Sequence, residues 1–244
     1  MTDNKILDRV RRLLAKAESP ACTPEESETY NAKAAELIAQ YGIEQALLAN
    51  AGAVRDDITD KKIVIPAPYS FDKALLFNAV ARPLRLRVIR VRSFPSEGSV
   101  TKLHIFGYAS DIERAELLFT SLLLQAANGI ARPTPEYGES VVSWRKAFFA
   151  GFSDVVRRRL KESEARAAAS VPEARTGDVS TALVLKTREQ RVVDACRCAY
   201  PNQTSGRRTY RRYSSGGAAG RAAGERADIG GARFGSHPAG RALR

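Results

Sequence analysis

The chain is short of the residue types from which most reacting centres are built. Its 244 residues include 2 histidines, His104 and His237, together with 3 cysteines and 1 tryptophan. Nucleophilic and acid–base catalysis usually needs histidine, cysteine or paired carboxylates in a pocket. No G-x-S-x-G, H-E-x-x-H, Walker A or G-x-G-x-x-G pattern occurs. These absences weigh against an enzyme, although an active site assembled from dispersed residues leaves no local signature. Cys196 and Cys198 form a C-x-C pair with Cys22 far away. That is neither the spacing of a four-ligand zinc site nor that of a secreted disulfide framework. No metal and no cofactor is therefore expected, and Cys196 is expected on the apolar face of a helix with Val192 and Val193, with Cys198 pointing elsewhere. No apolar run reaches the roughly 18–20 residues of a membrane-spanning helix. The N-terminus is charged and amphipathic and lacks the apolar centre of a signal peptide, which points to the cytoplasm.

What the chain has in excess is positive charge. The formal net charge is +12. Residues 201–244 hold 9 arginines against Glu225 and Asp228, a net +7. Such a surplus attracts polyanions through its long-range field. No lysine follows Lys186, and the tail is built largely from Arg, Ala and Gly. A GC-rich coding sequence also produces that composition. With 44% hydrophobic and 27% charged residues, the chain is ordinary for a globular protein and long enough to bury a core without staples.

Helical spacing puts Ile6, Leu7, Val10, Leu13, Leu14 and Ala17 on one face of KILDRVRRLLAKAE, with Arg9, Arg12 and Lys16 mostly on the other. Thr23, Pro24, Glu25 and Glu26 read as the start of a second helix, with Thr23 and Glu26 as a capping box. Tyr30, Ala34, Leu37, Ile38 and Tyr41 form its stripe and Gly42 a stop. The two predict a helical hairpin as a domain over residues 1–50, followed by an α+β domain over 58–244.

In the second part, a strand is expected over 61–65, a helix from Phe71 to Pro83, and a β-hairpin over 84–106. The apolar/basic alternation of LRLRVIRVR slips at Val88–Ile89, which implies a bulge or a strand buried on both faces. Ser110 and Glu113 match another capping box ahead of a core helix. A long helix over about 139–169 carries Trp144, Phe148 and Phe152 at core spacing. TALVLK reads as a strand and REQRVVDACRCAY as a helix. Gly216, Gly220 and Gly224 recur every four residues with Ala219, Ala223 and Ala227 beside them. That period predicts a helix whose small face admits another backbone. The fold class is α+β, with a small mixed or antiparallel sheet packed by long helices; the β-α-β-β-α-β order of ferredoxin-like folds is one arrangement that fits.

ILDRVRRLLAKAES followed by PEESETYNAKAAELIAQYGI resembles the N-terminal region of the bacterial and phage family called domain of unknown function 2786. The likeness rests on the I-L-x-R-V-R-x-L-L-A-x-A-E-S pattern, the Glu-rich helix start and the final Y-G-I, within about the first 45 residues. FGYASDIERAELLFTSLLLQA and GRAAGERADIGG are similar to the uncharacterised partner region of such proteins. The resemblance implies a phage or mobile-element origin and transfers no catalytic or ligand residues.

Three surfaces are candidates for nucleic acid. SGRRTYRRY, residues 205–213, offers Arg207, Arg208, Arg211 and Arg212 for phosphates and Tyr210 or Tyr213 for stacking on an unpaired base. Its plain alternative is a loop joining two packed helices. The hairpin face offers Arg85 and Arg87 with Lys102 and His104, joined by Arg90 and Arg92 if the register slips. A solvated strand face is the alternative there, since stacking aromatics are not evident. Arg157, Arg158, Arg159 and Lys161 read as a solvated helix end, where cations suit the dipole. Asp111 and Glu113 read as helix-start acids, and His104 as a packing or surface residue. The expected function is a non-enzymatic, cytoplasmic nucleic-acid-associated accessory protein, with the N-terminal hairpin serving a protein partner or self-association. The alternatives are a protein-interaction adaptor and an enzyme with a dispersed site.

Overall fold

A computed structural model of the chain describes residues 3–17, 55–91, 100–131, 135–170, 181–204 and 214–229, together with individual positions between 19 and 49. Six helices and three strands lie among these residues: α1 (Asp3–Ala17), β1 (Ile58–Ile65), α2 (Ser70–Ala81), β2 (Arg87–Val91), β3 (Thr101–Tyr108), α3 (Ala109–Ala131), α4 (Val141–Ser170), α5 (Thr181–Ala199) and α6 (Ser215–Arg226).

The strands form one antiparallel sheet in the order β1-β3-β2. Residues alternate across a strand, so β3 divides its side chains between two layers. Leu103 and Ile105 join a large core with Ile65 of β1, Leu76, Phe77 and Val80 of α2, Leu118 and Leu122 of α3, and Phe148, Phe149 and Phe152 of α4. Phe106 and Tyr108 face the other way and pack beneath Val192 and Cys196 of α5. β3 is thus buried on both faces, while β1 is largely exposed. This settles the slip at Val88–Ile89: the β2–β3 register is continuous from Arg87 to Val91, Val88 packs on the large core and Ile89 on the α5 side. No bulge is needed.

The TALVLK segment is helical and continuous with the rest of α5, correcting the expected strand. Val184, Val192 and Cys196 are all buried, and with residue 188 they mark every fourth position of one helical stripe. That longer period outweighs the short β-like reading of six residues. The second capping box is also corrected. Ser110 already lies inside α3, and its hydroxyl and amide donate to Asp56, at 2.7 and 3.2 Å.

The glycine period is realised in full. α6 runs alongside α4 with Gly216 against the Trp144 carbonyl, Gly220 against that of Phe148 and Gly224 against Val155 and the Phe152 carbonyl. The two helices run in the same direction, because both series rise together. Beyond α6, Ala227 and Ile229 are buried, and Gln125 of α3 brackets Asp228 by accepting from its amide and donating to its carbonyl, at 2.8 and 3.2 Å.

Candidate functional site

The residues with chemical potential gather where α5 crosses the sheet. On that face β3 presents Lys102, His104, Phe106 and Tyr108, and the register sets Arg87 of β2 opposite Phe106. His104 is 8% exposed. Its Nε2 lies 2.6 Å from Asp60 Oδ2 and its Nδ1 lies 2.8 Å from Tyr200 Oη. An ionised carboxylate only accepts, so in the neutral ring Nε2–H donates to Asp60 and Nδ1 accepts from Tyr200. His104 thereby ties β1 and β3 to Tyr200, the residue that follows α5. Burial pushes the Cys196 thiol up against a smaller opposing effect of Arg87, so it stays protonated and behaves as a packing residue.

Next to it lies a buried network of alternating charge. Arg188 of α5 donates to Asp56 at 2.6 Å and reaches Asp111 of α3 at 3.5 Å, and its guanidinium lies 3.5 Å from the centroid of the Tyr108 ring. Arg85 reaches Asp111 at 3.4 Å and Glu164 of α4 at 3.3 Å. Glu164 is also held by both terminal nitrogens of Arg114. None of the six side chains is more than 10% exposed. Three cations match three anions, as burial of charge requires. Burial by itself raises the Glu164 carboxyl, but Arg114 and Arg85 outweigh it and hold the group below the usual range. Arg85 takes a left-handed backbone, φ 64°, in the turn between α2 and β2. The network joins α3, α4 and α5 to the turn before β2 and the segment before β1.

The structure distributes the expected cationic residues differently from the sequence. Arg85 is not on a strand face at all; it sits in the turn and points into the network. Arg87 is half-buried and bonded to Glu189 of α5 at 2.9 Å. Lys102 and His104 share that face, with Lys102 half-buried and α5 packed across the strand. Arg90 lies on the opposite face, over the Phe71 ring at 4.8 Å. Arg157, Arg158 and Arg159 are mid-helix, not at a helix end. Arg157 pairs with Asp154, Arg158 with Glu225, and Arg159 donates to the carbonyls of Gly224 and Ala227, 2.6 Å each, closing the C-terminus of α6. Asp111, expected as a helix-start acid, lies in the first turn of α3, where it is 1% exposed and faces the network. Arg92, Arg207, Arg208, Tyr210, Arg211, Arg212 and Tyr213 lie outside the described residues.

The N-terminal elements bear on relationship. Val10 and Leu14 of α1 enter the large core together with Ala34 and Ile38. The described positions 26, 29, 30, 33, 34, 37, 38, 41, 46 and 49 are helical. The Thr23 capping box forms in both directions: the Glu26 amide donates to Thr23 Oγ1 at 3.2 Å, and the Thr23 amide donates to Glu26 Oε2 at 3.0 Å. Residues 5–45 match the family model described as protein of unknown function (DUF2786). Comparison with curated proteins and with solved structures gave no match. The DUF2786 match covers most of α1 and the capped helix start; the sheet, α5 and the charge network all lie beyond it. Its contact with the rest includes an ion pair from Arg11 to Glu113 of α3, at 2.6 Å.

Sequence reasoning missed Asp56, Arg114, Glu164 and Arg188, and the linkage of Asp60 and Tyr200 through His104. A signal was present. Arg188 stands in the stripe Val184–Arg188–Val192–Cys196, Arg114 one turn before Leu118, and Glu164 one turn after Leu160. Charges at core-facing helical positions announce buried partners. The aromatic pair Phe106 and Tyr108 also continues the Lys102–His104 alternation, which the shorter strand reading cut off at Phe106.

Proposed function

We propose that the protein is a non-enzymatic accessory protein that associates with nucleic acid in the cytoplasm, gripping the phosphate backbone electrostatically. The carrying observation is the composition of residues 205–213, with 4 arginines, 2 tyrosines and no acid. Described residues with defined contacts stand on either side of it in the chain. Tyr200 bonds His104 on one side, and on the other Ser214 caps α6, its hydroxyl accepting from the Gly216 amide. The DUF2786 segment, read as a helical hairpin, serves as the module for a protein partner or self-association, and a phage or mobile-element origin accords with the family. The part from β1 to α3 follows the opening β-α-β-β-α of a ferredoxin-like order.

The test is a salt titration of binding to single- and double-stranded DNA and RNA, comparing the wild type with a variant in which Arg207, Arg208, Arg211 and Arg212 are alanine. If all four touch duplex phosphates, the log–log salt slope falls by about 3.6 in the variant. An unchanged slope would move the grip to other cations, and no binding at low salt would sink the reading. A second reading, an adaptor for another protein, is favoured by one observation, a sheet edge that is unpaired among the described residues and lies beside an apolar groove.

A further inference from the structure

β1 is an edge of the sheet, and among the described residues nothing pairs with its outer side. An edge presents a row of backbone donors and acceptors to any strand that fits. Along this edge runs a groove of about 310 Å³ lined by Ile63, Val64 and Ile65 of the strand, Phe77 of α2, and Phe119 and Leu123 of α3. Val64 is 57% exposed, and Phe119 and Leu123 are half-buried. The apolar side of α3 therefore faces a space that no strand among the described residues fills. A strand added about 4.8 Å from β1 would project every second side chain into that space.

Charge selects the occupant. Lys61 and Lys62 stand at mid-strand and Lys73 at the rim, while Glu116, bonded to Lys61 at 2.7 Å, offsets one of the three. The strand's own acid, Asp60, accepts from His104 but is 56% exposed at the side chain, so three lysines against Asp60 and Glu116 leave the edge a net +1. A second copy pairing β1 with β1 would oppose lysine to lysine. Residues 230–244 carry Arg233, Arg241 and Arg244 with no acid and are repelled likewise. Lys62 points to the face opposite Ile63 and Ile65, so an acidic residue answering Lys62 and an apolar residue entering the groove fall at alternate positions of one added strand. We propose that the β1 edge and its groove form a docking site for an extended acidic segment of another protein, which adds as a fourth strand and seats alternate apolar side chains against Phe119 and Leu123. The site is independent of the nucleic-acid reading and fails or stands separately from it.

The test uses the full chain against a synthetic array of extended peptides, with valine or phenylalanine at alternate positions and Glu, Ser or Lys between them. The Glu series should bind at least about tenfold more tightly than the Lys series. Lys62→Glu should invert that order. Leu123→Glu should remove binding to both, and amide hydrogen exchange over residues 59–65 should slow when the Glu peptide is bound. Lys62 is an exposed residue, so its variant keeps the fold even if Leu123→Glu does not. Equal binding across the series, no binding at all, or protection elsewhere overturns the proposal. Concentration-dependent self-association that protects residues 59–65 would assign the groove to a second copy instead, and overturn it too.

Discussion

Replacing Arg188 with methionine is expected to destabilise the fold by about 3–5 kcal/mol. For a chain of this length that lowers the thermal midpoint by roughly 6–20 °C. Methionine fills much of the arginine's volume but leaves Asp56 and Asp111, 3% and 2% exposed at the side chain, without a shared cation. Asp56 keeps Ser110, and Asp111 keeps only the longer contact from Arg85. The cost is that of an uncompensated buried charge, not the net worth of the pair. Adding Asp111→Asn should therefore recover part of the loss, so the double variant is more stable than the two single effects predict. Arg191→Met, on the exposed side of the same helix, should stay within about 0.5 kcal/mol of wild type. Urea and thermal unfolding followed by circular dichroism read the wild type, both single variants, the double variant and Arg191→Met. Strictly additive effects would show that Arg188 and Asp111 do not interact.

The same network sets the acid limb of stability. Glu164 is held below the usual carboxylate range, so the folded state binds its proton less readily than the unfolded chain does. Its contribution is fully present above the unfolded value, near pH 4.3, and is lost as pH falls through the lower folded value. Glu164→Gln should cost stability at neutral pH, since it removes a charge shared by Arg85 and Arg114. It should also flatten the loss on acidification. An acid limb as steep as that of the wild type would move the acid sensitivity to other carboxylates.

Local patterns carried most of the fold into view. The Thr23 capping box, the Trp144–Phe148–Phe152 core stripe and the glycine period follow from spacings of three and four residues, and each formed as its spacing required; alternation found the three strands but not their bounds, since β1 starts at Ile58, β2 at Arg87 and β3 runs on to Tyr108. What stayed hidden depended on contacts distant in the chain. α5 reads as two elements until residues 184–196 are taken as one stripe. Arg87 reads as solvent-facing until the helix some hundred residues later is known to cover its face. Asp111 and Arg85 carry no mark of burial by themselves, because a charged residue signals an interior partner only when its helix or turn is already placed. Residues 205–213, on which the functional reading leans, were legible as a composition; their geometry lies outside the described residues.

Gly220→Ala and Gly217→Ala are expected to act in opposite directions, although both replace a glycine in the same helix. A Cβ on Gly220 would stand 2.1 Å from the Phe148 carbonyl oxygen and 2.8 Å from its carbon. These are backbone atoms of α4 and cannot rotate away, so α6 must move off its neighbour. Overpacking of this kind costs about 1–3 kcal/mol, occasionally more. Alanine returns up to about 1 kcal/mol in helix propensity, which leaves a net loss. A Cβ on Gly217 meets nothing nearer than 3.7 Å, and that atom is the mobile end of Arg221. Only the propensity gain remains there, so Gly217→Ala should raise the midpoint slightly. Gly220→Leu should drive α6 off altogether. It would break the bond that the Trp144 indole nitrogen donates to Ser215 Oγ, 3.1 Å in the native fold, and shift the emission of the chain's single tryptophan to longer wavelength. If both alanine variants stabilise, α6 does not pack on α4 through its glycine face, and the four-residue period has some other cause.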